Sequence, residues 1–319
     1  MTMSDDGTLA VGVVGVGHLG RHHARLYSAM PGTRLVGVVD RDADRAREIA
    51  EEFGCRAFDD AEEMLGQVRA ASVAVPTENH LEVARPLLAG GVDVLVEKPL
   101  ATTLDEVDTL NRVAEENDRV LMVGHTERFN PAVIALLRAV DQPRFFEIHR
   151  LAAFSARSTD IDVVLDLMIH DLDLVLAMDG SDPVSVDAAG VAALTDKVDI
   201  ANARIRLSSG CVANLTASRI SAEPVRRIRL FQSRTYLSCD TGAREVDRYQ
   251  LALGPDRKPQ IRHDRLPVDD GEPLRLELEA FVEAVHTRAT PHIDGRQARR
   301  AIELAHRVRE SIDASPFAP

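Results

Sequence analysis

The sequence predicts an α/β fold in two domains. An N-terminal doubly wound parallel sheet comes first, then a C-terminal α+β domain built on a large, mostly antiparallel open sheet. Three observations lead there. Up to about residue 125, strands that are apolar throughout alternate with helix-patterned segments, as parallel strands covered on both faces do. The first strand runs into a glycine-rich turn that opens a helix. Past that point, short strand-like runs joined by tight turns replace the alternation.

In chain order, residues 9–15 read as a buried strand and 21–30 as the helix after it; 34–40 is a second strand, followed by a helix at 43–53. Further apolar, β-branched runs at 71–75 and 92–96 flank a helical stretch at 81–89, and 104–116 and 120–124 add a helix and a strand. The second half offers strands at 145–153, 184–193, 200–207, 211–218, 226–231 and 234–239. Ser208-Ser209-Gly210 marks a hairpin between two of them. Helices are expected at 163–178, 274–287 and 296–312. The domains are accordingly drawn as 1–125 and 126–319, with room for the last helix to pack back on the first domain.

Composition narrows the function. The 319 residues are 45% hydrophobic and 28% charged, an ordinary globular balance. A net charge of −13 repels nucleic acid and anionic membrane surfaces alike. The apolar runs at 11–16 and 92–96 are too short to span a bilayer. An acidic start without an apolar stretch does not resemble a signal peptide, and Cys55, Cys211 and Cys239 are scattered. A reduced cytoplasmic protein is the expectation.

Gly15-Val16-Gly17-His18-Leu19-Gly20 fits G-x-G-x-x-G between a strand and a helix, the context that gives the pattern meaning as a Rossmann phosphate loop. Gly15 permits the turn, Gly17 lets backbone approach a pyrophosphate, and Gly20 lets helix and strand pack closely. Asp40 ends the second strand, where an acid binds ribose hydroxyls and repels a 2′-phosphate. NAD is thus expected over NADP, although Arg41 beside it pulls the other way. Pro76, Thr77, Asn79 and His80 follow a later strand at the carboxyl edge and are expected at the cofactor; for Asn79 and His80 a turn and helix cap serve equally well.

The chain holds only three lysines, Lys98, Lys197 and Lys258. Lys98 ends a parallel strand in Glu97-Lys98-Pro99, where an ammonium can stabilise a developing alkoxide. Asp166 and His170 stand at i and i+4 on a predicted helix, a spacing that lets a carboxylate orient an imidazole base. A core histidine or a metal pair would use the same residues. Asp171 and Asp173 read as solvated or capping acids.

Glu97-Lys98-Pro99 after the phosphate loop, followed by Gly124-His125-Thr126-Glu127-Arg128-Phe129-Asn130-Pro131, resembles the glucose–fructose oxidoreductase, inositol dehydrogenase and MocA family. The resemblance runs over nearly the whole chain. It implies a catalytic Lys98 with a cis bond before Pro99, Asp166 and His170 as the matching Asp-x-x-x-His pair, and a sheet face that pairs subunits into a homodimer or homotetramer. Val163-Val164-Leu165 departs from the glycine pair that many relatives carry there. Residues 125–131, 158–173 and 199–219 are similar to the branch that oxidises the 3-hydroxyl of UDP-N-acetylglucosamine ahead of a sugar aminotransferase in lipid A sugar synthesis. On that reading Lys98, Arg128, Asn130, Arg157, Asp166, His170 and Arg219 meet a nucleotide sugar, and Glu97 and Arg128 also meet the cofactor. A free polyol or inositol dehydrogenase and a non-catalytic NAD-binding regulator remain open.

Overall fold

The structure, a computed structural model, describes residues 7–154, 161–253 and 257–314. By internal contact the chain divides into two units. One holds the residues through Thr126 together with Leu274–Arg299; the other holds Glu127–Pro273 and the chain from Arg300.

The first unit contains β1 (Leu9–Val14), α1 (His18–Ala29), β2 (Thr33–Val39), α2 (Ala43–Phe53), β3 (Arg56–Phe58), β4 (Ala70–Val73), α3 (His80–Ala89), β5 (Asp93–Glu97), α4 (Leu104–Glu116) and β6 (Leu121–Gly124). All six strands are parallel, in the order β3-β2-β1-β4-β5-β6. β1, β4 and β5 are buried along their whole length, as their unbroken apolar runs require. The strand order reverses between β1 and β4, which opens the crevice where such sheets bind ligands.

The chain returns to this unit with α7 (Pro273–Thr287) and the start of α8 (Gly295–Asp313). Sequence patterning places α7 with the second domain and gives only the last helix room to pack back on the first. Their tether lies at the edge strand and at a buried acid. Met122 bridges Asp294, the Val123 N–H donates to the Ile293 carbonyl, and Arg288 donates to the fully buried Asp93 at 2.8 Å. No local pattern announces such a long-range pairing.

The second unit is built on an eight-stranded sheet of β7 (Phe145–Leu151), β8 (Pro183–Val191), β9 (Ile200–Leu207), β10 (Val212–Ser218), β11 (Val225–Gln232), β12 (Thr235–Asp240), β13 (Glu245–Leu253) and β14 (Pro259–Arg265). Its order is β14-β13-β12-β11-β7-β10-β9-β8, antiparallel throughout except for the β7–β10 pair. The Ser208–Gly210 turn joins β9 to β10, with Gly210 at φ +89°. Period-two burial in β9 turns Ala203 and Ile205 inward, where Phe146, Leu215, Leu230 and Leu237 are also buried. α5 (Pro131–Ala139) and α6 (Ile169–Asp179) complete the unit.

β3, β13, β14 and α5 were absent from the sequence reading. β14 is exposed at six of its seven positions, so it carries no alternating apolar signal. α5 follows Asn130, whose side chain accepts from the Ala132 N–H, and has Pro131 in its first turn; these are ordinary start signals.

Candidate active site

At the phosphate loop the glycines divide their work as steric argument demands. Gly15 has φ +82°, and a Cβ there would sit 2.7 Å from the Ala74 carbonyl oxygen. A Cβ on Gly20 would collide with the Gly15 carbonyl, whereas one on Gly17 would meet only open space. α1 begins at His18 behind Gly17, which supplies no capping side chain. Its first N–H groups therefore point toward a site suited to phosphate. His18 and Leu19 are exposed at this end.

A cleft of about 720 Å³ adjoins the loop and is lined by Gly15, Gly17, Asp40, Arg41, Pro76 and Asn79, among others. Asp40 is fixed at its rim: one oxygen accepts the Val16 N–H at 2.7 Å, the other the Asp42 N–H at 3.0 Å. Asp59, Asp60, Glu62 and Glu82 also line the cleft, against the single cation Arg41. A tight turn, an open approach over Gly17 and an acid at the strand end fit a dinucleotide. The acidic rim fits an unphosphorylated ribose.

At the ends of β4 and β5 the chain is braced from within. Thr77 stands half-buried in the short turn after Pro76. His80 is buried, with Nε2 3.0 Å from the Val75 carbonyl and Nδ1 3.0 Å from that of Pro99. Burial lowers its pKa, against the pull of those carbonyls. This places His80 as a tie between two loops and not as an open ligand. Lys98–Pro99 is cis. Lys98 is half-buried; its N–H donates to Glu97 at 3.3 Å. Glu97 itself points inward, 3.0 Å from Nε2 of the fully buried His23, and so ties the lysine's backbone to α1.

In the second unit, Asp166 lies within a π-helical turn, Val164–Met168, that runs straight into α6. The expected uniform helix is thus interrupted where the paired residues sit, as π-turns often are at functional positions. Asp166 and His170 are both half-buried. The buried acids on the same helix correct the sequence expectation: Asp171 and Asp173 are not solvated. Asp173 receives Arg128 in a two-pronged pair at 2.6 and 2.8 Å. Asp171 receives Arg150 at 2.7 and 3.0 Å, and Arg150 also reaches Glu127. Burial raises the Asp171 pKa against that arginine.

Arg219 is likewise engaged inside the unit, by Asp199 at 2.9 Å and the Ile161 carbonyl at 2.7 Å. Asp199 works against burial: hydrogen bonds from Leu194, Thr195 and Arg219 hold its carboxyl well below the usual range. Asn130 donates to the Thr241 carbonyl and caps α5. The guanidinium groups of Arg128 and Arg219 thus stabilise the walls of this unit. Arg157 lies outside the described residues.

Comparison with known proteins bears on both units. Residues 9–125 match the model of the oxidoreductase family with an NAD-binding Rossmann fold, and residues 139–242 match the GFO/IDH/MocA C-terminal domain. The chain belongs to the glucose–fructose oxidoreductase, inositol dehydrogenase and MocA family. It is 42% identical over 308 residues to the UDP-N-acetylglucosamine 3-dehydrogenase of Acidithiobacillus ferrooxidans, covering 96% of this chain and 98% of that one. A solved structure of that enzyme superposes with a TM-score of 0.91 at 41% identity, over 96% of this chain and 98% of the other. The inositol 2-dehydrogenase of Rhizobium meliloti is 27% identical over 96% of this chain and 97% of its own.

Family membership makes the protein an oxidoreductase whose first unit binds NAD. No described helix is long and apolar enough to cross a membrane. The residues that sequence reasoning missed are supports: His23 on α1, Arg150 on β7 and Glu277 on α7. Each is buried and polar, and none falls in a local motif.

Proposed function

We propose that the protein uses NAD to oxidise the 3-hydroxyl of UDP-N-acetylglucosamine to the 3-keto sugar. The observation that carries this reading is the 42% identity, over nearly the full length, to a UDP-N-acetylglucosamine 3-dehydrogenase, supported by Lys98, Asp166 and His170 in this sequence. NAD, when bound, supplies the hydride acceptor. Gly15, Gly17, Gly20 and the start of α1 hold its phosphates, and Asp40 its ribose. His170, oriented by Asp166, removes the hydroxyl proton, and Lys98 stabilises the alkoxide as it forms.

Arg128, Asn130 and Arg219 act from the pocket wall, Arg219 through its hold on Asp199, and Arg157 serves the anionic part of the substrate. The 3-keto product suits a sugar aminotransferase, which would convert it to an amine in the cytoplasm for lipid A sugars. The second unit serves substrate and assembly: the outer face of its sheet pairs copies into a homodimer or homotetramer. The second reading, an inositol dehydrogenase, draws on the Rhizobium meliloti relative.

The test is product identification. The nucleotide sugar is incubated with NAD, trapped by borodeuteride and sequenced by mass spectrometry. Deuterium at C3 is the expected result. Deuterium elsewhere, or in inositol alone, overturns the substrate assignment.

A further inference from the structure

Asp166 and His170 sit on an irregular stretch of helix. At the end of Val164–Met168 the Ile169 N–H reaches back five residues to the Val164 carbonyl. A turn of this kind holds one residue more than α-helical pairing would, and it persists only where its surroundings fix it. Expelling the extra residue at either end would rotate that end by about 100° around the helix axis. Asp166 and His170 would then no longer share a face.

Both ends of the turn are held. At its head stands the buried Asp162, which no sequence motif singles out. One carboxylate oxygen accepts the Val164 N–H at 2.9 Å and the Leu165 N–H at 3.0 Å, and the Asp162 carbonyl accepts the Asp166 N–H at 3.0 Å. These are donors that the start of a helix leaves unsatisfied. The other carboxylate oxygen receives Nε of Arg309, on α8, at 2.8 Å. The neighbouring backbone is tied as well: the Ile161 carbonyl accepts from Arg219 at 2.7 Å, and the Val163 N–H donates to the Val198 carbonyl at 2.9 Å. Asp162 therefore cannot turn its carboxylate without losing the cap or the ion pair. At the foot, Asp171 directly follows His170, and the buried Arg150 grips it with two nitrogens at 3.0 and 2.7 Å.

Resting on the catalytic roles given above to Asp166 and His170, we propose that Asp162, locked by Arg309, sets the register of the π-turn and so the direction in which that pair meets the substrate. The Arg150–Asp171 pair is the fixed end against which this register is set. Asp162 and Arg309 are positioning residues, acting through the backbone of residues 164–166.

The Arg309 side chain is 42% exposed, so its replacement leaves the fold intact. The full chain is compared as wild type, R309Q, R309K and D162A, by steady-state kinetics and by hydrogen–deuterium exchange resolved over residues 164–170. In R309Q kcat is expected to fall about tenfold, and in D162A about 10²-fold, with KM for NAD within about twofold of wild type. R309K, which restores the cation, is expected to recover most of the R309Q loss. The Val164, Leu165 and Asp166 amides are expected to exchange about threefold faster in R309Q and at least about tenfold faster in D162A. A kcat unchanged in R309Q, an R309K no better than R309Q, or unchanged exchange at those amides overturns the proposal. Should D162A fail to fold, R309Q and R309K decide the matter. Exchange needs no substrate, so a wild type silent on the nucleotide sugar would sink the substrate reading while the amides still decide whether Asp162 and Arg309 hold the turn.

Discussion

Lys98 and His170 divide the proposed chemistry between an electrostatic role and a proton-transfer role. Replacing either with Ala should leave NADH binding, followed by fluorescence, within about twofold, while turnover falls by roughly 10²–10⁴. A His170→Ala enzyme with near-normal turnover would remove His170 from the mechanism. D40A should weaken NAD and erase the preference over NADP, read as the ratio of kcat/KM for the two cofactors; an unchanged ratio would assign discrimination to the other acids of the rim.

Glu277 adds a pH dependence with a definite sign. Burial and then the Glu97 carboxylate raise its pKa well above the ordinary value of 4.5. The folded chain thus keeps a proton that the unfolded chain loses. The stability this provides is complete below about pH 4.5 and declines as pH rises toward the folded value, by up to about 1.4 kcal/mol per pH unit. Melting temperatures of wild type should therefore drop more than those of E277Q over that window. Parallel curves would contradict a raised value.

Among the elements, the β1–α1 junction and the anchoring of α6 position the candidate site residues. G20A should abolish dinucleotide binding, because its methyl collides with the Gly15 carbonyl; calorimetry reads this, and retained binding would mean the turn can open. The Arg128–Asp173 pair holds α6 to the segment before α5. D173A leaves a mostly buried guanidinium unpaired and should cost about 3–5 kcal/mol in denaturant unfolding, whereas a loss below about 1 kcal/mol would mark the pair as solvated.

The elements also show what could be read in advance. β1, β4 and β5 were legible because full burial makes them largely apolar, and the loop after β1 because sterics demand glycine at Gly15 and Gly20. Lys98, Asp166 and His170 were singled out in the sequence by family-like spacing. His23 and Glu277 were not, since their meaning arises only when α1, β5 and α7 meet. Asp171 and Asp173 misled for the same reason: their partners Arg150 and Arg128 lie 21 and 45 positions away.

Across the whole molecule, the outer face of the eight-stranded sheet bears a row of rings, stacked from Phe231 onward and tilted between Phe145 and Phe231. Phe145, Phe231, Tyr236, Tyr249 and His263 follow one another with centroids 4.5 to 5.9 Å apart. Exposed Leu251 and Leu253 stand on β13 with Tyr249, and exposed Ile261 on β14 with His263. A patch of this kind on an otherwise acidic protein suits a second copy of the chain. If the proposed pairing of copies uses this patch, I261D combined with L253D shifts sedimentation toward monomer; a sedimentation unchanged by the pair would contradict that use of the patch.

The measurement closest to the central claim is reduction of NAD, followed by near-ultraviolet absorbance, with UDP-N-acetylglucosamine beside a panel of free sugars and inositols. Each is run with and without an aminotransferase and glutamate to consume the ketone. Nicotinamide reduction with the nucleotide sugar, driven further when the ketone is removed, is the expected result. Reduction with a free polyol alone, and none with the nucleotide sugar, would contradict it.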